Sequence, residues 1–118
     1  MYGLPANTNL DFLKGKTLIQ ACFGENDLIL NFSENIAIAV FSSVGFIGDA
    51  ENVKRHTAFA DVSAEILSFL SKIVTDVCWT REGTVTLSFS NGREIQIYDD
   101  SESFESFTIT SPQGQLIV

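Results

Sequence analysis

Apolar and polar residues alternate along most of this chain, the two-residue period of a half-buried β-strand. Lys16–Phe23 reads as a first strand, followed by the turn residues Gly24-Glu25-Asn26-Asp27. Leu28, Leu30 and Phe32 alternate with Ile29, Asn31 and Ser33 in a second, and Glu34-Asn35 turns into a third carried by Ile36, Ile38 and Val40. Ala37, Ala39 and Phe41 occupy the other side of that strand, so both of its faces are expected to be buried. Residues 42–58 read mainly as loop, with a short edge strand within Val53–Phe59. The period then changes. Ile66, Leu67, Phe69, Leu70 and Ile73, with Val62 a turn earlier, form an apolar stripe that predicts a helix over 61–73. Val77 and Trp79 return to alternation, and Val85, Leu87 and Phe89 continue it. Asn91-Gly92 is a strong hairpin signal, and Ile95 and Ile97 lie beyond it. Strands at Phe104–Thr110 and Gln115–Val118 close the chain. Near the start, Asn9–Lys14 predicts one helical turn stopped by Gly15.

The two halves repeat one order: Cys-aromatic, turn, aliphatic-x-Leu-x-Phe-Ser, turn, Ile-x-Ile. Cys22-Phe23, Leu28–Ser33 and Ile36-Ala37-Ile38 make one copy; Cys78-Trp79, Val85–Ser90 and Ile95-Gln96-Ile97 make the other. A single meander cannot bury its apolar face alone, so two related meanders are expected to pack together. The fold class read from this is α+β: mostly antiparallel β, two related three-stranded meanders and one main helix between them. The chain reads as a single domain over 1–118. It has an irregular arm (1–8), a first meander (16–41), the helix (61–73), a second meander (73–98) and C-terminal strands (104–118). Cys22 and Cys78 fall at equivalent positions and are expected to be buried free thiols.

Composition narrows the function. With 118 residues and 45% hydrophobic content, the chain can bury one core without metal or disulfide. Net charge is −8, with only seven Lys and Arg against fifteen Asp and Glu. Phosphate binding needs cations, so nucleic acid and anionic membranes are poor partners, whereas a basic protein is attracted. No signal peptide and no run of ~20 apolar residues is evident, which points to the cytoplasm.

Chemistry is sparse. His56 is the one histidine, and Cys22 or Cys78 with it makes an unconvincing nucleophile pair. No zinc, phosphate-loop or calcium-loop motif is present. The expectation is therefore no enzyme, no metal and no cofactor. The surface is more informative. Glu25 and Asp27 lie in one turn, while Asp99, Asp100, Glu102 and Glu105 cluster around Phe104 late in the chain. An acidic rim around an aromatic suits a basic protein, and these seven residues are the candidate partner-binding set.

Three segments carry a resemblance: Leu13-x-Gly15-Lys16-Thr17-Leu18 with Cys22-Phe23-Gly24-Glu25-Asn26; Gly83–Gly92; and Phe104-Glu105-Ser106-Phe107-x-Ile109. In these the chain resembles a family of small, uncharacterised bacterial proteins. That family is similar in character to the immunity proteins encoded beside polymorphic or contact-dependent toxins. The resemblance implies an inhibitor that occludes one cognate toxin domain, often a basic nuclease. Two other expectations stand beside it. One is a structural or assembly module, a monomer or weak homodimer joined through a strand edge. The other is a small-ligand binder with a pocket between sheet and helix near Trp79.

Overall fold

The alternating runs form ten strands among the described residues of the computed structural model, which describes residues 3–47, 54–56, 62–101 and 105–118. They are β1 (Leu18–Phe23), β2 (Leu28–Phe32), β3 (Ile36–Val40), β4 (Ser43–Ile47), β5 (Lys54–His56), β6 (Val74–Trp79), β7 (Val85–Phe89), β8 (Glu94–Tyr98), β9 (Phe107–Ser111) and β10 (Gly114–Ile117). All pairings are antiparallel, in two five-stranded sheets ordered β1-β2-β3-β9-β10 and β5-β4-β8-β7-β6.

The α+β expectation is wrong in its α component. The helix α1 is only Ser63–Leu67, five residues, and the fold is an antiparallel β structure. Within α1 Ile66 is fully buried and Leu67 is 59% exposed; past it the stripe continues as irregular turns, with Phe69 fully buried and Ile73 44% exposed. Two causes act together. Serines at 63, 68 and 71 are weak helix formers. The chain is also pinned beyond the helix, where the Leu18 N–H donates to the Lys72 carbonyl at 3.0 Å and Ser71 takes φ 68°. Residues 42–58 hold a further correction. Ser43–Ile47 is a strand, its first four residues buried, paired with both β5 and β8. Gly45 suggested loop, but it sits mid-strand opposite Gln96. The third strand is not buried on both faces: Ala37 and Ala39 are half-buried and Phe41 is exposed.

The meanders β1–β3 and β6–β8 are built alike. Each has a register irregularity near its start, between Leu18 and Gln20 and between Val74 and Asp76. Each is extended by a hairpin from the other half: β9-β10 joins β3, and β4-β5 joins β8. The inner faces meet in one hydrophobic cluster, with Leu30, Ile38 and Phe107 from the first sheet and Leu87, Ile97 and Val44 from the second. The 3-10 turn Asp11–Leu13 buries Leu10 and Leu13, and α1 with the turn after it buries Ile66 and Phe69. Phe69 meets the Phe89 ring edge-on at 5.0 Å, with the Arg93 guanidinium 5.2 Å from its centroid.

This exchange of hairpins gives the molecule two distinct ends. At one, which we call the crossover end, the chain passes between sheets from β3 to β4 and from β8 to β9, and the β1–β2 and β6–β7 turns flank these crossings. At the other, the bridge end, Thr17 and Ile73 pair across the two sheets.

Candidate protein-binding surface

The crossover end is held by hydroxyl and carboxylate contacts. Ser42 Oγ donates to the Tyr98 carbonyl, and Ser43 Oγ to Asp100 Oδ2, both at 2.5 Å. Asp99 is buried. Its Oδ2 accepts the Gly3 N–H at 2.6 Å and its Oδ1 accepts from Ser106 Oγ at 2.5 Å. Gly83 packs so closely that a Cβ there would lie 2.4 Å from the Asp99 Cβ. Asp99 therefore ties the arm at Gly3, the β6–β7 turn at Gly83 and Ser106, just before β9, together.

The candidate residues separate on this frame. Asp99 is interior and serves the scaffold. Glu25, Asp100 and Glu105 are exposed, and Asp27 is half-buried. Glu102 and Phe104 lie outside the described residues. The register brings Glu25, Asp27 and Glu105 to one end, because Leu28 opposes Val40 and Val40 opposes Phe107 across neighbouring strands. Phe107 itself is fully buried core. The sequence reading missed Glu82, in the β6–β7 turn of the same end, and the aromatics Phe23 (37% exposed) and Phe41 (43% exposed). The repeat contained the signal for Glu82, since its turn is the counterpart of the one holding Glu25.

Charge divides unequally between the ends. At the bridge end five described carboxylates meet four cations, and most are paired. Lys14 Nζ lies 3.7 Å from Asp11 and 3.5 Å from Asp76, Lys16 binds Glu34 at 2.5 Å, and Arg93 binds Glu65 at 2.5 Å. Among residues whose side chains are described, which leaves out Lys54 and Arg55 of β5, the crossover end sets Glu25, Asp27, Glu82, Asp99, Asp100 and Glu105 against one cation, Arg81. Among the described residues Glu25, Asp27, Glu82 and Glu105 form no ion pair. Uncompensated like charges on a rigid end sum to a field that attracts cationic surfaces, with a reach of about 8 Å at physiological salt.

Among the described residues, reactive groups are not assembled at either end. Cys22 and Cys78 are exposed, contrary to the buried thiols expected. The register irregularities reset the phase of β1 and β6, so that Cys22 opposes Ile29 and Cys78 opposes Thr86 on the outer faces. His56 lies in β5 opposite Val44. Among the described residues no group of three or more His, Cys, Asp or Glu is placed to hold a metal ion. No described helix is long and apolar enough to cross a membrane. A groove of about 280 Å³ lies between the arm, the 3-10 turn and the β9-β10 hairpin.

Residues 10–118 match the model of a family of unknown function, DUF6188, and the chain belongs to that family. The match begins at Leu10, the first buried residue of the first structural repeat. No curated protein and no solved structure matches the chain.

Proposed function

We propose that the protein is a stoichiometric inhibitor of the immunity type, which binds a basic, nuclease-type bacterial toxin domain in the cytoplasm and covers its substrate-binding face. The observation that carries this reading is the segregation of charge. Among the described residues, Asp11, Glu34, Glu65 and Asp76 at the bridge end pair with cations, whereas Glu25, Asp27, Glu82 and Glu105 at the crossover end form no ion pair. A nuclease must offer a cationic surface to phosphate, so an inhibitor needs only a rigid, negatively charged surface complementary to it. Phe23 and Phe41 supply apolar contact within that charged end, as interface anchors commonly do. No reactive group is required of the inhibitor.

The experiment is binding of the purified protein to the toxin-domain product encoded beside its gene. A dissociation constant in the nanomolar range, with association slowed by salt, supports the reading. An absence of binding to any such product overturns it.

A second reading, a self-associating assembly module, is favoured by the outer face of the first sheet. Gln20, Cys22, Ile29, Asn31, Ala37 and Ala39 give that face no charge, in a chain of net charge −8. Sedimentation of the free protein separates the two: a stable dimer without any toxin partner supports assembly.

A further inference from the structure

We infer that β10 is a strand-addition site, which takes an extended, uncharged peptide segment of another protein into the groove beside it. This goes beyond the inhibitor reading and uses a different part of the surface.

The four sheet edges are not equivalent. β1 and β6 are tied to each other at their starts by the Thr17–Ile73 bridge and its flanking hydrogen bonds. β5 has the sequence Lys54-Arg55-His56, and cationic residues are a common guard on edge strands. β10, Gly114-Gln115-Leu116-Ile117, carries neither charge nor proline and ends the first sheet. Its inner bonds go to β9. Val118 and Phe107 exchange backbone bonds, with N–H to O distances of 2.9 and 3.3 Å, and antiparallel alternation then turns the N–H and C=O groups of Gln115 and Ile117 away from β9. Four main-chain groups therefore point outward in the spacing that a new strand pairs with.

The groove lies against the first three residues of this strand, with Ile109 and Ser111 of β9 also in its wall. Its volume is about 280 Å³, with Leu116 and Gln115 on one side and Pro5, Thr8 and Phe12 on the other. None of its lining residues is charged, in a chain where nearly a fifth of the residues are. Its chemistry therefore favours uncharged side chains over charged ones, which would be stripped of water without a partner. Thr8 adds an independent sign. Its hydroxyl is buried and has no hydrogen-bond partner. A buried polar atom left without a partner is costly, and a turn of the Thr8 side chain toward the groove that it lines would let a peptide main chain supply one. Strand addition uses this combination: main-chain bonds for affinity and a neutral groove for selectivity.

The test uses the full-length, 15N-labelled protein and two synthetic probes, acetyl-Thr-Val-Thr-Val-Thr-amide and acetyl-Glu-Val-Glu-Val-Glu-amide. The expected result is saturable shifts of the Gln115, Ile117 and Thr8 amides with the neutral peptide below about 1 mM, and binding at least about tenfold weaker for the acidic one. Gln115→Pro removes one outward N–H without touching a bond to β9, and edge strands tolerate proline, so it should weaken binding about tenfold or more. Gln115→Ala should not. Should Gln115→Pro disturb the hairpin, slowed hydrogen exchange of the wild-type Gln115 and Ile117 amides on adding peptide gives the same information. No shift up to about 1 mM, shifts confined to other strands, or equal binding by Gln115→Pro and wild type overturns the inference. So does loss of the β10 amide signals through self-association, which would assign the edge to a second copy.

Discussion

Thr17 and Ile73, 56 positions apart, face each other in an isolated antiparallel bridge, and the backbone is bonded the same way on both sides of them. The Leu18 N–H donates to the Lys72 carbonyl at 3.0 Å, and the Val74 N–H to the Lys16 carbonyl at 2.9 Å. Thr17 and Ile73 each take an N–H bond from the hydroxyl-bearing residue that follows the second strand of their own meander, Ser33 and Ser90, at 2.9 Å. Those serine hydroxyls accept the Thr17 and Ile73 N–H groups in return, at 3.1 and 3.0 Å. The local two-fold passes between Thr17 and Ile73, and the repeat read from the strands extends back to the helical turns before them.

The two-fold sets a paired prediction. Gly15 and Ser71 are equivalent, and both are left-handed, at φ 84° and 68°. Their N–H groups bond to Val74 and Leu18, each at 2.8 Å. No atom lies within 4 Å of a Cβ built on Gly15, so Gly15→Ala should cost only the backbone penalty, about 1–2 kcal/mol. Ser71→Gly should gain up to about 1 kcal/mol. Urea unfolding with an unchanged m-value measures both. The same sign for both would break the equivalence.

Asp99 supplies a second prediction. Asp99→Ala removes the acceptor for Gly3 and Ser106 and should lower stability by about 2–3 kcal/mol. Gly83→Ala, at φ 106° and against the same side chain, should lower it by about 2 kcal/mol or more. The two residues touch, so their effects should fall short of additivity in a double-mutant cycle. An Asp99→Ala loss under about 0.5 kcal/mol would show that the carboxylate does not hold the crossover.

The thiols give a third. Cys22 and Cys78 are exposed on the outer faces of β1 and β6, so both should react with a colorimetric thiol reagent in the folded protein without denaturant. Replacing both with Ser should change stability by no more than about 0.5 kcal/mol each. Reaction only after unfolding would restore the burial that the sequence suggested.

Much of the β architecture is written in the period of two. Leu28, Leu30 and Phe32 and their counterparts Val85, Leu87 and Phe89 are inward in both meanders. What alternation does not encode is partner choice, so the exchange of β4-β5 and β9-β10 between halves was illegible: it depends on contacts distant in sequence. Nor does it show a bulge, and the irregularities in β1 and β6 moved both cysteines to the surface. Turn chemistry was partly legible. Asn91-Gly92 does form a hairpin, but of the two only Gly92 has positive φ, 80°, with its N–H on the Phe89 carbonyl. Among the described residues, the turn with two adjacent left-handed residues is Glu34-Asn35, at 63° and 61°. Of the acidic set, the surface positions Glu25, Asp100 and Glu105 could be read from their loops. The burial of Asp99 could not, because it follows from Gly3 and Gly83 closing over it.

Charge reversal tests the account's main claim. Glu25, Glu82 and Glu105 are exposed and form no ion pair among the described residues, so changing them to Lys should leave stability within about 0.5 kcal/mol. The decisive measurement is the dissociation constant for the toxin-domain product encoded beside the gene. It should be taken for wild type, for Glu25→Lys/Glu82→Lys/Glu105→Lys, and for Asp11→Lys/Glu34→Lys at the bridge end. The account predicts nanomolar binding by wild type, a loss of about a hundredfold or more for the crossover-end variant, and a change of less than about threefold for the bridge-end variant. Equal losses for the two variants, or no binding by the wild type, would contradict it.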